Sequence, residues 1–321
     1  MSSRLLHLRR AWIAPPLLAL LLCGGCGTFV PGRAVVEAPL APEDVVAFPN
    51  LPDSLKFAVL GDFGTGDREQ YELAEQMTLT HGRLPFTTVL LVGDNIYGSE
   101  RPQDFRQKFE APYRRLLDAD VRFYASLGNH DSREQRHYDL FNMNGELYYS
   151  FSPRDDVRFF ALDSTYMEPE QIEWLEAELK ASNDRWKIAF FHHPLYSSAG
   201  RHGSDVRLRE AIEPILRQQG VSVVFAGHDH VYERIKPQHG IVHFVVGSGG
   251  KLRPGDLDPR TGLTARGFDA NLSFLVAELE GDALIFQTVS RSGAVVDSGI
   301  VTHAAEAGAS EGRAPAISGQ P

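Results

Sequence analysis

Five times along this chain a short apolar run ends in a polar cluster. The clusters are Gly61-Asp62-Phe63-Gly64, Gly93-Asp94-Asn95-Ile96-Tyr97, Gly128-Asn129-His130-Asp131, His192-His193-Pro194 and Gly227-His228-Asp229-His230. The runs before them, residues 56–60, 86–92, 121–127, 186–191 and 221–226, read as buried strands. In open α/β sheets, sites form beyond the carboxyl ends of the strands. Five clusters so placed converge on one rim. Glycine stands directly before the polar residues in four of them, where it permits tight turns that push side chains toward a shared centre.

The rest of the pattern supplies the frame. Residues 68–81, 104–117, 169–181 and 205–219 have helical spacing. Pro112 should kink or split the second of these, and Pro169 suits the first turn of the third. Residues 148–152 and 157–162 read as a strand pair, and 242–246, 272–279 and 283–289 as later strands. The order is βα-alternating first and β-rich last. It predicts stacked sheets flanked by helices, in one α/β domain over residues 55–302.

The chain has 321 residues, enough for one large domain, with 43% hydrophobic and 23% charged residues, the ordinary composition of a globular protein. The net charge of −10 argues against nucleic acid as a partner, because non-specific binding needs a positive footprint. A metal site still gives local positive potential on an acidic chain.

The first residues read as an export signal. Arg4, His7, Arg9 and Arg10 form a basic head, and an apolar run over 11–22 follows, interrupted by Pro15 and Pro16. It is too short for a comfortable membrane span. It ends in Leu21-Leu22-Cys23-Gly24-Gly25-Cys26, which resembles the lipobox of bacterial lipoproteins, although Cys23 stands where an aliphatic residue is usual. The expectation is a signal over 1–25, lipidation at Cys26, and an exported protein held to a membrane by that anchor alone. The alternative is ordinary cleavage and a periplasmic or secreted product. Residues 27–54 read as a tether and 303–321 as a disordered tail. The only cysteines are Cys23 and Cys26, so packing and metal, not disulfides, must hold the fold.

The residue types in the five clusters decide the chemistry. Carboxylate, imidazole and amide-oxygen donors suit iron, manganese, zinc or similar ions. The inventory exceeds one ion and fits two, sharing a carboxylate at about 3.5–4 Å separation. Taken singly the clusters say less. A Gly-Asp after a strand is commonly a turn, His192-His193 fits a packing histidine beside a solvent-facing one, and Gly-Asn-His-Asp fits an Asn turn. Gly-His-Asp-His says more, because histidines two apart point the same way on an extended strand.

The order of the five clusters resembles that of the calcineurin-like metallophosphoesterases, and more narrowly that of the purple acid phosphatases. Tyr97, three residues after Asp94, stands where that group keeps an iron-binding tyrosinate. Gly227-His228-Asp229-His230-Val231-Tyr232-Glu233-Arg234 is similar to its GHxHxYER signature. His202, ten residues after His192, lies near where the group keeps a second substrate-facing histidine. The resemblance spans roughly residues 56–250 and implies a four-layer α/β/β/α sandwich. It implies one metal on Asp62, Asp94, Tyr97 and His230, and another on Asp94, Asn129, His192 and His228, with Asp94 bridging. His192 is preferred over His193 because the family's ligand lies two positions before the proline. A phenolate ligand implies Fe(III) in the first position, beside a divalent Fe, Zn or Mn. The chain is most similar to the short, single-domain bacterial form and lacks the cysteine pairs of the animal form.

The expected reaction is hydrolysis of phosphate monoesters at acidic pH. Water made acidic by the metals attacks phosphorus in line, and His130, not needed as a ligand, protonates the leaving alkoxide. Asp131 is expected to orient the His130 ring. His202 and Arg201, in a flexible-looking stretch over 197–203, are expected to meet the small phosphorylated substrate. Two rivals stand beside this reading. One is a phosphodiesterase or nucleotide pyrophosphatase on the same scaffold, with loops 132–146 and 197–205 choosing the substrate. The other is a non-catalytic, surface-anchored protein that binds metal or phosphate.

Overall fold

The apolar runs become strands because two sheets, each covered on both faces, give every one of their side chains somewhere dry to go. The structure, a computed structural model, describes residues 38–303. The export signal, Cys26, residues 27–37 of the expected tether and residues 304–321 of the expected tail lie outside the described residues.

In chain order the elements are β1 (Leu55–Leu60), α1 (Arg68–His81), β2 (Thr88–Val92), α2 (Pro102–Phe105), α3 (Arg114–Leu117), β3 (Arg122–Ser126), β4 (Tyr149–Arg154), β5 (Val157–Ala161), α4 (Pro169–Ala181), β6 (Trp186–Phe190), α5 (Val206–Gln218), β7 (Val221–Ala226), β8 (Tyr232–Ile235), β9 (Val242–Val246), β10 (Thr264–Phe268), β11 (Ser273–Glu280), β12 (Ala283–Ser290) and β13 (Val295–Thr302). One sheet runs β13-β12-β11-β1-β2-β3 and the other β10-β8-β9-β7-β6-β5-β4. Within them, β1, β2 and β3 are mutually parallel, and so are β5, β6, β7 and β9.

Alternation along each strand feeds two cores at once. Phe57 and Val59 of β1 face the space between the sheets, with Phe159, Ile188, Phe225, Phe244 and Leu275. Ala58 and Leu60 face outward onto Leu73 and Met77 of α1 and onto Phe109 and Leu116. The second sheet does the same: Phe160, Ala189 and Val224 pack under Leu175 and Leu179 of α4 and Ile212 and Leu216 of α5. The layers are therefore helix, sheet, sheet, helix, as the resemblance implied.

Three differences from the sequence reading have physical causes. The helix expected over 104–117 is broken into α2, a π-helical turn (Arg106–Glu110) and α3, because Pro112 supplies no N–H and displaces the turn before it. Strands β8, β10 and β13 escaped notice because polar residues or glycine interrupt their apolar pattern, as Asp297-Ser298-Gly299 does in β13. Part of the expected tether is docked: Leu40 N donates to Val295 O (2.9 Å), Val46 N to Ser298 Oγ (2.8 Å) and Asn50 N to Glu278 Oε2 (2.8 Å). This segment satisfies groups along the β11-β12-β13 side of the sheet rather than hanging free.

One polar clamp joins the two sheets. Tyr232 Oη and Arg234 Nε, both on β8, donate to Asp297 Oδ2 on β13 at 2.7 and 2.8 Å, and Arg234 Nη2 donates to Oδ1 at 3.1 Å. Asp297 is 2% exposed. Removing one partner from such a buried pair strands the other in low dielectric, at about 3–5 kcal/mol. Asp297→Ala is therefore expected to lower the unfolding free energy by about that amount, measured by urea denaturation. A loss within experimental error of zero would mean the clamp carries no net stability.

Candidate metal centre

All five clusters lie at the carboxyl ends of parallel strands. Asp62 follows β1, Asp94 follows β2, Asn129 and His130 follow β3, His192 follows β6, and His228 and His230 follow β7. The two parallel sets place these ends on one edge of the sandwich.

The side chains there form two groups. In the first, Tyr97 Oη donates to Asp62 Oδ1 (3.2 Å) and lies 3.3 Å from His230 Nε2, which is 3.5 Å from Asp62 Oδ1. In the second, His192 Nε2 lies 3.1 Å from Asn129 Oδ1, 3.2 Å from His228 Nδ1 and 3.4 Å from Asp94 Oδ1. Asp94 belongs to both, since it also lies with Asp62 and His230, its ligand atom within 4.8 Å of theirs. These contacts bring together the residues of the two sets that the resemblance implies, and a ring nitrogen of His193 also lies within 4.8 Å of ring nitrogens of His192 and His228.

His192 Nδ1 lies 3.0 Å from the carbonyl of Val92 and so donates to it, which turns the Nε2 lone pair toward the cluster. His193 sits close by, but Ser164 holds it. Ser164 Oγ accepts from His192 N (3.2 Å) and His193 N (2.9 Å), leaving its one proton for His193 Nδ1 at 3.0 Å. On this hydrogen-bond network, a neutral His193 carries its proton on Nε2.

The backbone is bent to achieve this. Asp62, Asp94 and His228 have φ of 55°, 51° and 70°, a region that side-chain-bearing residues occupy at a cost. The glycines before them work mostly by being small. A Cβ on Gly128 would stand 2.2 Å from Asp94 Oδ1, and one on Gly227 would stand 2.5 Å from Asp62 Oδ2. Gly93, at φ 86°, is the one of the four that needs its conformational freedom. The Gly-His-Asp-His histidines do not lie on a strand. Short bonds from Asp229 N to Gly227 O (2.8 Å) and from Val231 N to Asp229 O (2.7 Å) coil the segment, so His228 and His230 face different groups.

Electrostatics shows what the cluster lacks. Asp62 and Asp94 are 0% and 1% exposed, and neither forms an ion pair with a lysine or arginine among the described residues. Burial, then the charge of Asp94, push the Asp62 carboxyl well above its usual range. Burial, then the charges of Asp62 and Asp94, push the Tyr97 phenol up as well. Burial, then His192, lower His228 to about 2, and burial, then Arg253, lower His230 to about 4. A cation would reverse the rise in the acids, and the imidazoles driven to shed protons are left as the neutral donors a cation binds. Two carboxylates, a phenol, an amide oxygen and three imidazoles fit two hard or borderline cations.

The other expected residues fall at the rim. His130 N donates to Asp94 Oδ1 (3.0 Å), while its exposed ring lies against Tyr97 with centroids 5.1 Å apart and makes no side-chain hydrogen bond within the described chain. The His202 ring lies 4.3 Å from that of His228. Arg201 is exposed beside it.

Asp131 requires a correction. It was expected to orient His130, but its carboxylate accepts from five other donors: Asn95 N, Asn95 Nδ2, Ile96 N, Gly128 N and Gln135 Nε2, at 2.8–3.2 Å. It ties the Asp94 and Asn129 loops to each other instead of reaching the imidazole.

The stretch 197–203 also differs from expectation, since it is pinned rather than loose. Glu233, 0% exposed, accepts from Ser198 N (2.9 Å), Ser198 Oγ (2.6 Å) and Thr264 Oγ1 (2.5 Å). Asp229 Oδ1 accepts from Gly203 N (3.4 Å), and Gly200 N donates to Asp256 O (2.7 Å). The acids between and after the two histidines thus grip the loop that carries His202.

Sequence reasoning missed Ser164, Lys251 and Arg253. Lys251 N donates to Asp62 O and Arg253 N to His230 O, both at 3.0 Å, and Lys251 Nζ stands 4.9 Å from the Tyr97 ring centroid. Gly247 directly follows β9, as glycine follows β1, β2 and β7, but no cluster of metal-donor residues comes after it, so it pointed to neither side chain.

Residues 55–232 match the calcineurin-like phosphoesterase family. The chain is 30% identical over 245 residues to purple acid phosphatase 17 of Arabidopsis thaliana, covering 65% of this chain and 72% of that protein. It is 28% identical over 232 residues to purple acid phosphatase 7 of the same plant, covering 61% and 70%. Among solved structures it resembles purple acid phosphatase PPD1 from yellow lupin (Lupinus luteus) seeds, with TM-score 0.65, 18% identity and coverage of 80% and 55%. It also resembles GAP50, the anchor in the inner membrane complex of Plasmodium, with TM-score 0.67, 19% identity and coverage of 79% and 90%. At these identities the structural likenesses speak for the fold.

Glu233→Gln keeps the side-chain volume but replaces one accepting oxygen by a donor facing Ser198 or Thr264. Trypsin is expected to cut after Arg201 about tenfold faster in this variant, an opening energy lowered by about 1.4 kcal/mol, with the far-ultraviolet dichroism unchanged. An unchanged cleavage rate would mean that Glu233 does not hold the loop.

Proposed function

The chain belongs to the calcineurin-like phosphoesterase family and has purple acid phosphatases as homologues; from that premise we propose that it is a two-metal hydrolase of phosphate monoesters. The observation that supports this most is the shared Asp94 between two donor groups, with an exposed, unengaged His130 at their edge.

Asp62, Asp94, Tyr97 and His230 would hold one ion, and Asp94, Asn129, His192 and His228 the other. Bound there, two cations supply Lewis-acid chemistry, acidifying water and neutralising phosphoryl charge. Tyr97 as a phenolate favours Fe(III) in the first group, with divalent Fe, Zn or Mn in the second.

The residues around them divide the remaining work. His202, its ring tilted against that of His228, meets the phosphoryl oxygens, with Arg201 at the outer edge. His130 is fixed through its backbone N–H to Asp94 while its ring stays free. It is the acid that protonates the departing alkoxide. Asp131 and Ser164 hold the loops that carry these groups. The same reading takes the protein to be exported, which the basic head and apolar run of residues 1–22 support, with Cys26 as its anchor.

A leaving-group acid matters most when the leaving group is a poor one. His130→Ala is expected to lower kcat/KM by about 10²–10⁴ on an alkyl phosphate and by far less on p-nitrophenyl phosphate. An equal loss on both would remove the acid role. Hydrolysis of bis(p-nitrophenyl) phosphate faster than of the monoester would transfer the assignment to a phosphodiesterase. A metal-loaded wild type that cleaves neither would leave a binding protein.

A second measurement tests the metal. The iron-loaded wild type should show a broad visible absorption band from phenolate-to-iron charge transfer, absent in Tyr97→Phe. A colourless wild type holding two equivalents of metal would exclude Tyr97 as an iron ligand.

A further inference from the structure

Not all the positive charge at this edge has a role yet. After β9 the chain returns along the site as Gly247-Ser248-Gly249-Gly250-Lys251-Leu252-Arg253. Its backbone is bonded to the first donor group itself, through Lys251 N to Asp62 O and Arg253 N to His230 O. The glycines make the approach possible: a Cβ on Gly250 would stand 2.1 Å from Phe63 O, and one on Gly249 would stand 2.5 Å from Gly61 O. Two cations are thereby carried on a segment fixed to two of the residues assigned to a metal.

Lys251 is the freer of the two. It is half-buried, its ammonium lies 4.9 Å from the Tyr97 ring centroid, and no carboxylate pairs with it among the described residues. The ring face offsets only part of the cost of drawing an ammonium out of water. Arg253, two residues on, makes one long ion-pair contact among the described residues, from Nη1 to Asp256 Oδ2 at 3.8 Å. His130 borders the same Tyr97 ring at 5.1 Å between centroids. Lys251 and His130 thus both border the Tyr97 ring. His130 faces the leaving alcohol in the reading above, so a charge on that alcohol comes within reach of Lys251.

We propose that Lys251, supported by Arg253, binds an anionic group on the leaving moiety, so that the preferred substrates are phosphate monoesters whose alcohol carries a second phosphate or a carboxylate. This rests on the monoester function proposed above.

Matched probes separate the two ideas. Phenyl phosphate, 4-carboxyphenyl phosphate and 1,4-phenylene bisphosphate share a ring and differ in the distal charge. The metal-loaded wild type should prefer the two charged esters by about fivefold in kcat/KM, the size expected of partly exposed ion pairs. Lys251→Met keeps the aliphatic stem over Tyr97, and in it the preference should fall to near unity. Added salt should erode the preference in the wild type. A preference for the bisphosphate alone would keep the proposal and restrict the class to a second phosphoryl group. Equal kcat/KM for all three in the wild type, or a preference that survives Lys251→Met, would overturn it.

Binding gives a readout that needs no turnover. Benzylphosphonate and its 4-carboxy analogue have a carbon–phosphorus bond in place of the scissile ester, and calorimetry gives their Kd ratio on the same proteins. If the wild type cleaves none of the esters, the monoester function fails. The phosphonate ratio then still decides whether Lys251 reads a distal anion: a ratio of one overturns the subsite, and a ratio lost in Lys251→Met upholds it.

Discussion

Two carboxylates, Asp62 and Asp94, are buried at the joined edge of two sheets, and among the described residues no lysine or arginine forms an ion pair with either. A charge left in that position is expensive. The surroundings lower the cost without removing it. Backbone N–H groups of His228 and His130 donate to the two carboxylates, three imidazoles crowd in from two other loops, and a phenol from the loop of Asp94 itself. The geometry is complete except for positive charge, and that requirement makes this a metal-binding edge rather than a polar seam.

The cost extends to the backbone. Three of the residues assigned to the metals hold positive φ, and glycine is required at Gly128 and Gly227 because any Cβ there would strike a carboxylate of the neighbouring loop. Strain of this kind persists only where the surroundings over-determine it. Here the strand ends are fixed by two continuous sheets with apolar cores on both faces, and Asp131 ties two of the loops together through five donors. The rigid part of the protein thus sets the precision of its chemistry.

The segment 228–234 shows how densely the roles are packed. His228 and His230 turn toward the two donor groups. Asp229 and Glu233 turn the other way and grip the loop bearing His202. Tyr232 and Arg234 cross to Asp297 on the opposite sheet. One stretch of seven residues therefore joins the two donor groups, the loop bearing His202 and the packing of the two sheets.

The sequence by itself determined the donors and their place at strand ends, because parallel strands buried on both faces show as unbroken apolar runs and the glycine–polar clusters after them are local patterns. It also gave most helices and strands, since their periodicity is local too. Only the tertiary structure decided which donors meet. Asp131 and His130 are adjacent in the chain, yet the carboxylate turns to Asn95, Ile96 and Gln135. His228 and His230 are two apart, yet coiling sends them to separate groups. Loop 197–203 reads as loose because its composition is small and polar, whereas buried acids 26 to 35 positions away hold it. Lys251 and Arg253 carry no motif and matter only because β9 brings them back to Asp62 and His230. Contacts of that range are set by how the two sheets stack, and no local pattern records them.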